Sequence, residues 1–229
     1  MFFDYYYLIL VVPALFIATW AQIRVKSTYQ KYNTFYNSRN LTASEAARMI
    51  LDANGLYDVA IQRVAGELSD HYDPRDHVVR LSDSTYSSTS VGAIGVAAHE
   101  VGHAVQHATG YFPIKIRSAI IPVTNIGSKL SLPLIILGFI FQYGILVDIG
   151  LILFSTLTVF QLVTLPVEFN ASSRAMKTLE EMNLLYGEEL DGAKKVLSAA
   201  AMTYVAALFV SLMQLLRLVL IFGRRGRDD

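Results

Sequence analysis

The sequence predicts an α-helical integral membrane protein of about four spans, with a small α+β domain at the membrane surface. Three observations lead there. Hydrophobic residues make up 53% of the 229 and charged residues only 17%, well under the roughly 25% of soluble domains. Four long uncharged runs gather much of the apolar content. The stretch after the first run holds most of the polar residues and all five histidines.

Residues 5–23 form a 19-residue uncharged run, followed by Arg24, Lys26 and Lys31. That length suits one crossing of a hydrocarbon core about 30 Å thick. A cleaved signal would carry its positive charges before the apolar run, not after it, so residues 1–23 read as a retained first span, with Pro13 a tolerable kink. Residues 24–118 read as the first part of a polar domain. Thr42-Ala-Ser-Glu45 has the pattern of a capping box and opens a helix that Gly55 can end. Residues 59–64 and 77–81 read as short strands, with turn-rich Asp70-His-Tyr-Asp-Pro74 between them. From about Ser90 to Thr109 the pattern is helical, small-sided and glycine-rich, with Gly110 as the stop. Such a helix has weak intrinsic propensity and needs close neighbours.

Uncharged runs at 130–147 and 149–167, interrupted by Asp148, predict a hairpin of two spans within residues 119–167, with Asp148 in its loop. A polar helical segment at 168–195 reads as the second part of the domain. Residues 196–222 form the fourth span and 223–229 a basic tail. Lys and Arg concentrate in 24–118 and 174–195, and the positive-inside rule places both in the cytosol. The tail, with Arg224, Arg225 and Arg227, then falls outside, against the rule.

Composition also excludes. Formal net charge is zero, so nothing points to nucleic acid. There is no cysteine, which removes disulfides and thiolate sites; any metal must be held by His, Asp or Glu. The spans carry almost no charge that would mark a solute pathway, which argues against a channel or transporter.

The chemistry centres on His99-Glu100-Val101-Gly102-His103. Residues four apart share a helix face about 6 Å apart along the axis, so two imidazoles can converge on one zinc ion. The Glu between them can accept a proton from the attacking water. The bland alternative, a surface helix with two His and a Glu, fits poorly with neighbours that are otherwise small and apolar. A catalytic zinc needs a third protein ligand. His107 lies about 12 Å along the axis from His99 and cannot meet the same ion. Thr109 stands where an extended three-histidine motif needs His. His71 and His77 are alternatives that can equally be exposed turn residues. Glu168, directly after the third span, is either the ligand or an interfacial carboxylate at a helix N-terminus, and sequence mechanics alone leave the two even.

The chain resembles the YugP-like neutral zinc membrane metallopeptidases, relatives of the HtpX-type proteases in the gluzincin group. The resemblance covers nearly the whole chain. It rests on Leu68-Ser-Asp-His-Tyr-Asp-Pro74, Val79-Arg-Leu-Ser82, Ala97-Ala-His-Glu-Val-Gly-His-Ala-Val-Gln106 and Leu165-Pro-Val-Glu-Phe-Asn-Ala-Ser, and on the order of motif, two spans, then a Glu-bearing helix. It implies a gluzincin-like domain with one Zn²⁺ per chain held by His99, His103 and Glu168, Glu100 as proton carrier, and hydrolysis of peptide bonds. Asn170 departs from a position usually Asp; as a partner that orients a metal-bound His it supplies less negative charge, which implies weaker metal binding or activity.

Arg174, His71, Tyr186 and Tyr204 are the candidates for a further oxyanion donor. The strand His77, Val78, Val79, Arg80 and Leu81, just before the His helix, is the candidate edge for an extended peptide. The expected partners are a polypeptide substrate in or near the membrane and the lipid bilayer, with a regulatory protein or an oligomer as further possibilities. The alternative function is a metal-stabilised membrane scaffold that does not cleave, which the intact Glu100 argues against.

Overall fold

The computed structural model describes residues 4–222, so the basic tail lies outside the described residues. The chain is mostly helical, with one three-stranded sheet. It divides into two compact units: Ile23–Lys115 with Pro166–Met202, and the remaining segments, up to Gln22, Ile116–Leu165 and from Thr203 onward.

The first unit holds the polar chemistry. Helix α1 (Val12–Tyr32) contributes its C-terminal end. Helix α2 (Ala43–Ala53) starts on the capping box read from sequence. Thr42 accepts the Glu45 N–H, and the Glu45 carboxylate accepts the Thr42 N–H at 2.9 Å. Such a cap contributes about 1 kcal/mol. Gly55, at φ 73°, turns the chain after it.

Three strands follow: β1 (Ala60–Val64), β2 (His71–Asp73) and β3 (Val78–Ser82). Their order is β1-β3-β2, with β1 parallel and β2 antiparallel to β3. The sequence treats Asp70 to Pro74 as turn alone, yet His71, Tyr72 and Asp73 pair with Arg80, Val79 and Val78. The order also overturns the edge assigned to His77, Val78, Val79, Arg80 and Leu81. Strand β3 is central, and Val78, Val79 and Leu81 are buried. His77 is a left-handed turn residue at φ 53°, bonded to Asp58. The free edges belong to β1 and β2.

Helix α3 (Val91–Ala108) carries the His motif and is capped by Ser90, whose Oγ accepts the Ala93 N–H at 3.1 Å. Its weak propensity is offset by close packing. A Cβ on Gly102 would lie 2.7 Å from the Ala171 carbonyl oxygen on helix α5 (Gly144–Glu181), so only glycine lets the two backbones meet there. Around α3 lies a core including Tyr29, Leu51, Leu81, Ile94, Val101, Leu179, Leu184 and Leu185.

The polar helix predicted over 168–195 is instead two helices. Helix α5 ends at Glu181 and α6 (Glu188–Phe222) starts seven residues later. Asn183 and Gly187 adopt left-handed φ values of 49° and 55°. That turn carries Leu184 and Leu185 into the core, and their burial outweighs the helical continuity that composition suggests.

In the other unit, helix α4 (Phe112–Ile140) packs against the first part of α5. A Cβ on Gly127 would lie 2.8 Å from the Leu153 carbonyl, and one on Gly150 2.8 Å from that of Ser131. Small residues of this kind let membrane helices approach closely. The helix formed by residues 7–32, α4, α5 and α6 are each long and apolar enough to cross a membrane. Large side chains such as Phe16, Ile126, Ile152 and Leu162 are exposed, a surface suited to lipid.

The turn between α4 and α5 lies at residues 141–143, with Gln142 at φ 58°. Asp148 therefore sits one turn inside α5 and not in the loop. A carboxylate so near a helix N-terminus is favoured by the backbone dipoles. Arg217 on α6 donates through Nε to Asp4 at 3.0 Å and lies over the Tyr7 ring at 5.1 Å.

Candidate metal centre

Helix α3 presents His99 and His103 on one face, four residues apart, and α5 presents Glu168 opposite them. His99 Nε2 lies 3.2 Å from Glu168 Oε2, and His103 Nε2 lies 3.5 Å from the same oxygen. One ligand atom from each residue can be chosen so that all lie within 4.8 Å of one another, the one such trio of metal-ligating side chains among the described residues. Donors at about 2.0–2.1 Å around a tetrahedral zinc stand about 3.3 Å apart. The two His–Glu separations match that edge, and the set is two imidazoles and a carboxylate, as a zinc site lacking thiolates requires. These residues fit the ion. Glu168 is 2% exposed, and a buried carboxylate needs cationic or metal partners.

The ring nitrogens facing away from the centre are held. His99 Nδ1 is 3.1 Å from Ser172 Oγ, one turn beyond Glu168 on α5. His103 Nδ1 is 3.0 Å from Gln106 Oε1. The Gln106 amide donates through Nε2 to the Val167 carbonyl at 2.8 Å and to Asn170 Oδ1 at 3.0 Å. A backbone carbonyl only accepts, so Nε2 must face Val167 and Oε1 must face His103. His103 therefore carries a proton on Nδ1, which leaves Nε2, the nitrogen facing Glu168, as the one that can meet a metal. Gln106 is fully buried, so this arrangement is shielded from water.

Asn170 acts one step further out than the sequence suggests. Its Oδ1 accepts from Gln106 and from Arg174 Nε, the latter at 2.8 Å, and orients His103 through Gln106. An amide oxygen is sufficient for that acceptor role. Burial disfavours charge on His103, but the Glu168 hydrogen bond, the Glu100 and Glu168 carboxylates and Gln106 outweigh it and raise its pKa above the usual imidazole value. An incoming cation must displace that proton.

Glu100 is positioned by the sheet. The Tyr72 N–H on β2 donates to Glu100 Oε2 at 3.1 Å. Strand β2 is anchored in turn by Asp70, which accepts the Ser82 N–H at 2.7 Å and the Ser82 hydroxyl at 3.0 Å. The Arg75 N–H and the Arg80 guanidinium hold the Asp73 carboxyl below its usual range. The Leu68 to Pro74 motif thus builds a short edge strand beside Glu100.

Arg174 is tied to Asn170 and lies over the Tyr111 ring at 5.9 Å. His71 is exposed, with Nδ1 2.8 Å from the Ser69 carbonyl. Tyr186 bonds Ser38 at 2.7 Å in the turn after α5. Tyr204 belongs to the other unit. Sequence reasoning missed Gln106, Ser172 and the Tyr72 N–H. The signal for the first was available, since a Gln three residues after His103 sits on a helix with little other polar content.

Residues 7–223 match the model of a family described as "Putative neutral zinc metallopeptidase". The chain is 49% identical, over 224 residues, to a protein of Bacillus subtilis (strain 168) named "Putative membrane protease YugP". That alignment covers 97% of this chain and 99% of the relative. No solved structure matches the chain.

Proposed function

The chain belongs to the neutral zinc metallopeptidase family, and on that premise we propose that it is a membrane-anchored zinc endopeptidase cutting polypeptides in or beside the bilayer. The observation that carries this reading is the convergence of His99, His103 and Glu168 beside a Glu100 held by an edge strand. His99, His103 and Glu168 would hold the zinc. When bound, the ion supplies Lewis acidity to the attacking water and the scissile carbonyl.

The other roles belong to the chain. Glu100 takes the proton of the water and delivers it to the leaving amine. The Tyr72 N–H keeps one Glu100 oxygen fixed, leaving the other for the proton. Ser172 and Gln106 keep both imidazoles turned toward the centre. The extended substrate pairs along the outer edge of β2, not along β3, because β2 is the edge strand beside Glu100. Its main chain then lies within reach of the water that Glu100 activates. In this reading the domain is of the gluzincin type, built from residues 24–118 and 168–195 between spans 1–23, 119–167 and 196–222, and it faces the cytosol.

The test is cleavage of casein and of a detergent-solubilised membrane protein by the purified chain, beside Glu100→Gln. The expected result is cleavage by the native chain and its loss in the variant, with zinc content unchanged. Cleavage by Glu100→Gln at the native rate would contradict the reading, and a zinc-loaded native chain that cuts neither substrate would favour the scaffold alternative.

A further inference from the structure

A groove of about 680 Å³ lies between the C-terminal end of α1 and the N-terminal part of α6, and none of the metal-centre residues lines it. Its walls carry Arg24, Lys31, Lys194 and Lys195 against a single carboxylate, Asp191. Lys31 and Lys195 approach the buried Tyr32 ring, at 5.5 and 5.9 Å from its centroid. The groove has an excess of cationic donors, hydroxyls from Ser27, Thr28 and Ser198, and an apolar end at Ala199 and Met202.

Its place along the chain is the second observation. The first uncharged run ends at Ile23, and Arg24 follows directly. On α6 the order is reversed, with Lys194 and Lys195 directly before the uncharged run that opens at Val196. Both walls therefore change from charged to apolar at the groove, as two membrane-crossing helices do at headgroup depth. Basic pockets between such helices suit anionic lipid headgroups, and lysine ammonium groups bind phosphate as point charges.

We propose that this groove binds the phosphate headgroup of an anionic phospholipid. The site rests on the membrane placement of α1 and α6 and is independent of the peptidase chemistry. The phosphate sits among Lys31, Lys194 and Lys195, and Asp191 weakens its binding.

The test is native mass spectrometry of the full chain released from detergent, titrated with phosphatidylglycerol or with phosphatidylcholine of the same acyl chains. The native chain should retain phosphatidylglycerol selectively. The triple variant Lys31→Gln, Lys194→Gln, Lys195→Gln should retain it at least about tenfold less, while Asp191→Asn should retain more. The far-ultraviolet circular dichroism spectrum and thermal midpoint report that each variant is folded. Should the triple variant fail to fold, Asp191→Asn and the loss of retention with rising salt in the native chain decide the matter. Equal retention by the triple variant, no gain in Asp191→Asn, or equal retention of phosphatidylcholine would overturn the site. Displacement of the lipid by glycerol 3-phosphate at the lipid's own concentration would overturn the lipid assignment and leave a free-phosphate site.

Discussion

Two helix crossings in this molecule use the same device and reach opposite ends. In the apolar unit, Gly127 and Gly150 bring α4 and α5 together, each with a would-be Cβ 2.8 Å from a carbonyl oxygen of the facing helix. In the polar unit, Gly102 does the same between α3 and α5, against Ala171 at 2.7 Å. The first crossing meets around apolar residues such as Ile135 and Phe154. The second is lined by His99, His103, Gln106 and Glu168, and every ring nitrogen found there has a partner. Close backbone approach is thus neutral as to function. What decides is which side chains flank the glycine one turn away.

Glu100→Gln removes the proton carrier and leaves the ligands, so peptide cleavage should fall by about 10²–10⁴-fold. Zinc content, measured by inductively coupled plasma mass spectrometry, should stay at the native level. Gln106→Ala removes the acceptor that fixes the His103 tautomer; zinc affinity in a chelator competition should drop about 10–100-fold. Gly102→Ala pushes α3 from α5, and overpacking of this kind costs about 1–3 kcal/mol. Here zinc affinity should fall together with thermal stability. Gly150→Ala carries a similar steric cost in the apolar unit, and the thermal midpoint should fall while zinc affinity stays unchanged. If Gly102→Ala and Gly150→Ala behave alike in both measurements, the contrast between the two crossings is wrong. Thr42→Ala should lower stability by about 1 kcal/mol through loss of the α2 cap and leave cleavage as it was.

Much of the fold was legible because its signals are local. The capping box at Thr42 and Glu45, the Ser90 start of α3 and the uncharged runs each depend on residues within one helix or one span. The failures are non-local. Strand β2 spans three residues, too few for any alternation to register, and exists through pairing with β3 and the anchor at Asp70. Strand order depends on partners distant in sequence, so the sequence points to β3 as the peptide edge although β3 is central. The break between α5 and α6 follows from the burial of Leu184 and Leu185, which composition does not reveal.

The site divides in the same way. His99, Glu100 and His103 are a one-helix motif, and helical spacing alone aims them together. Glu168 sits 69 residues beyond His99; the residues alone leave it even with an interfacial carboxylate, and only the family resemblance favours it as a ligand. Gln106 was visible as a polar residue on an apolar helix, but its partners Val167 and Asn170 lie on α5. Asn170 reads as a loss of charge beside a ligand in sequence, and as an acceptor between Gln106 and Arg174 in the structure.

The most direct test of the account is the zinc content of the purified native chain beside Glu168→Ala, with both proteins dialysed against the same weak chelator. About one zinc per native chain is expected, and little or none in the variant. Equal zinc in the two proteins, or none in the native chain, would contradict it.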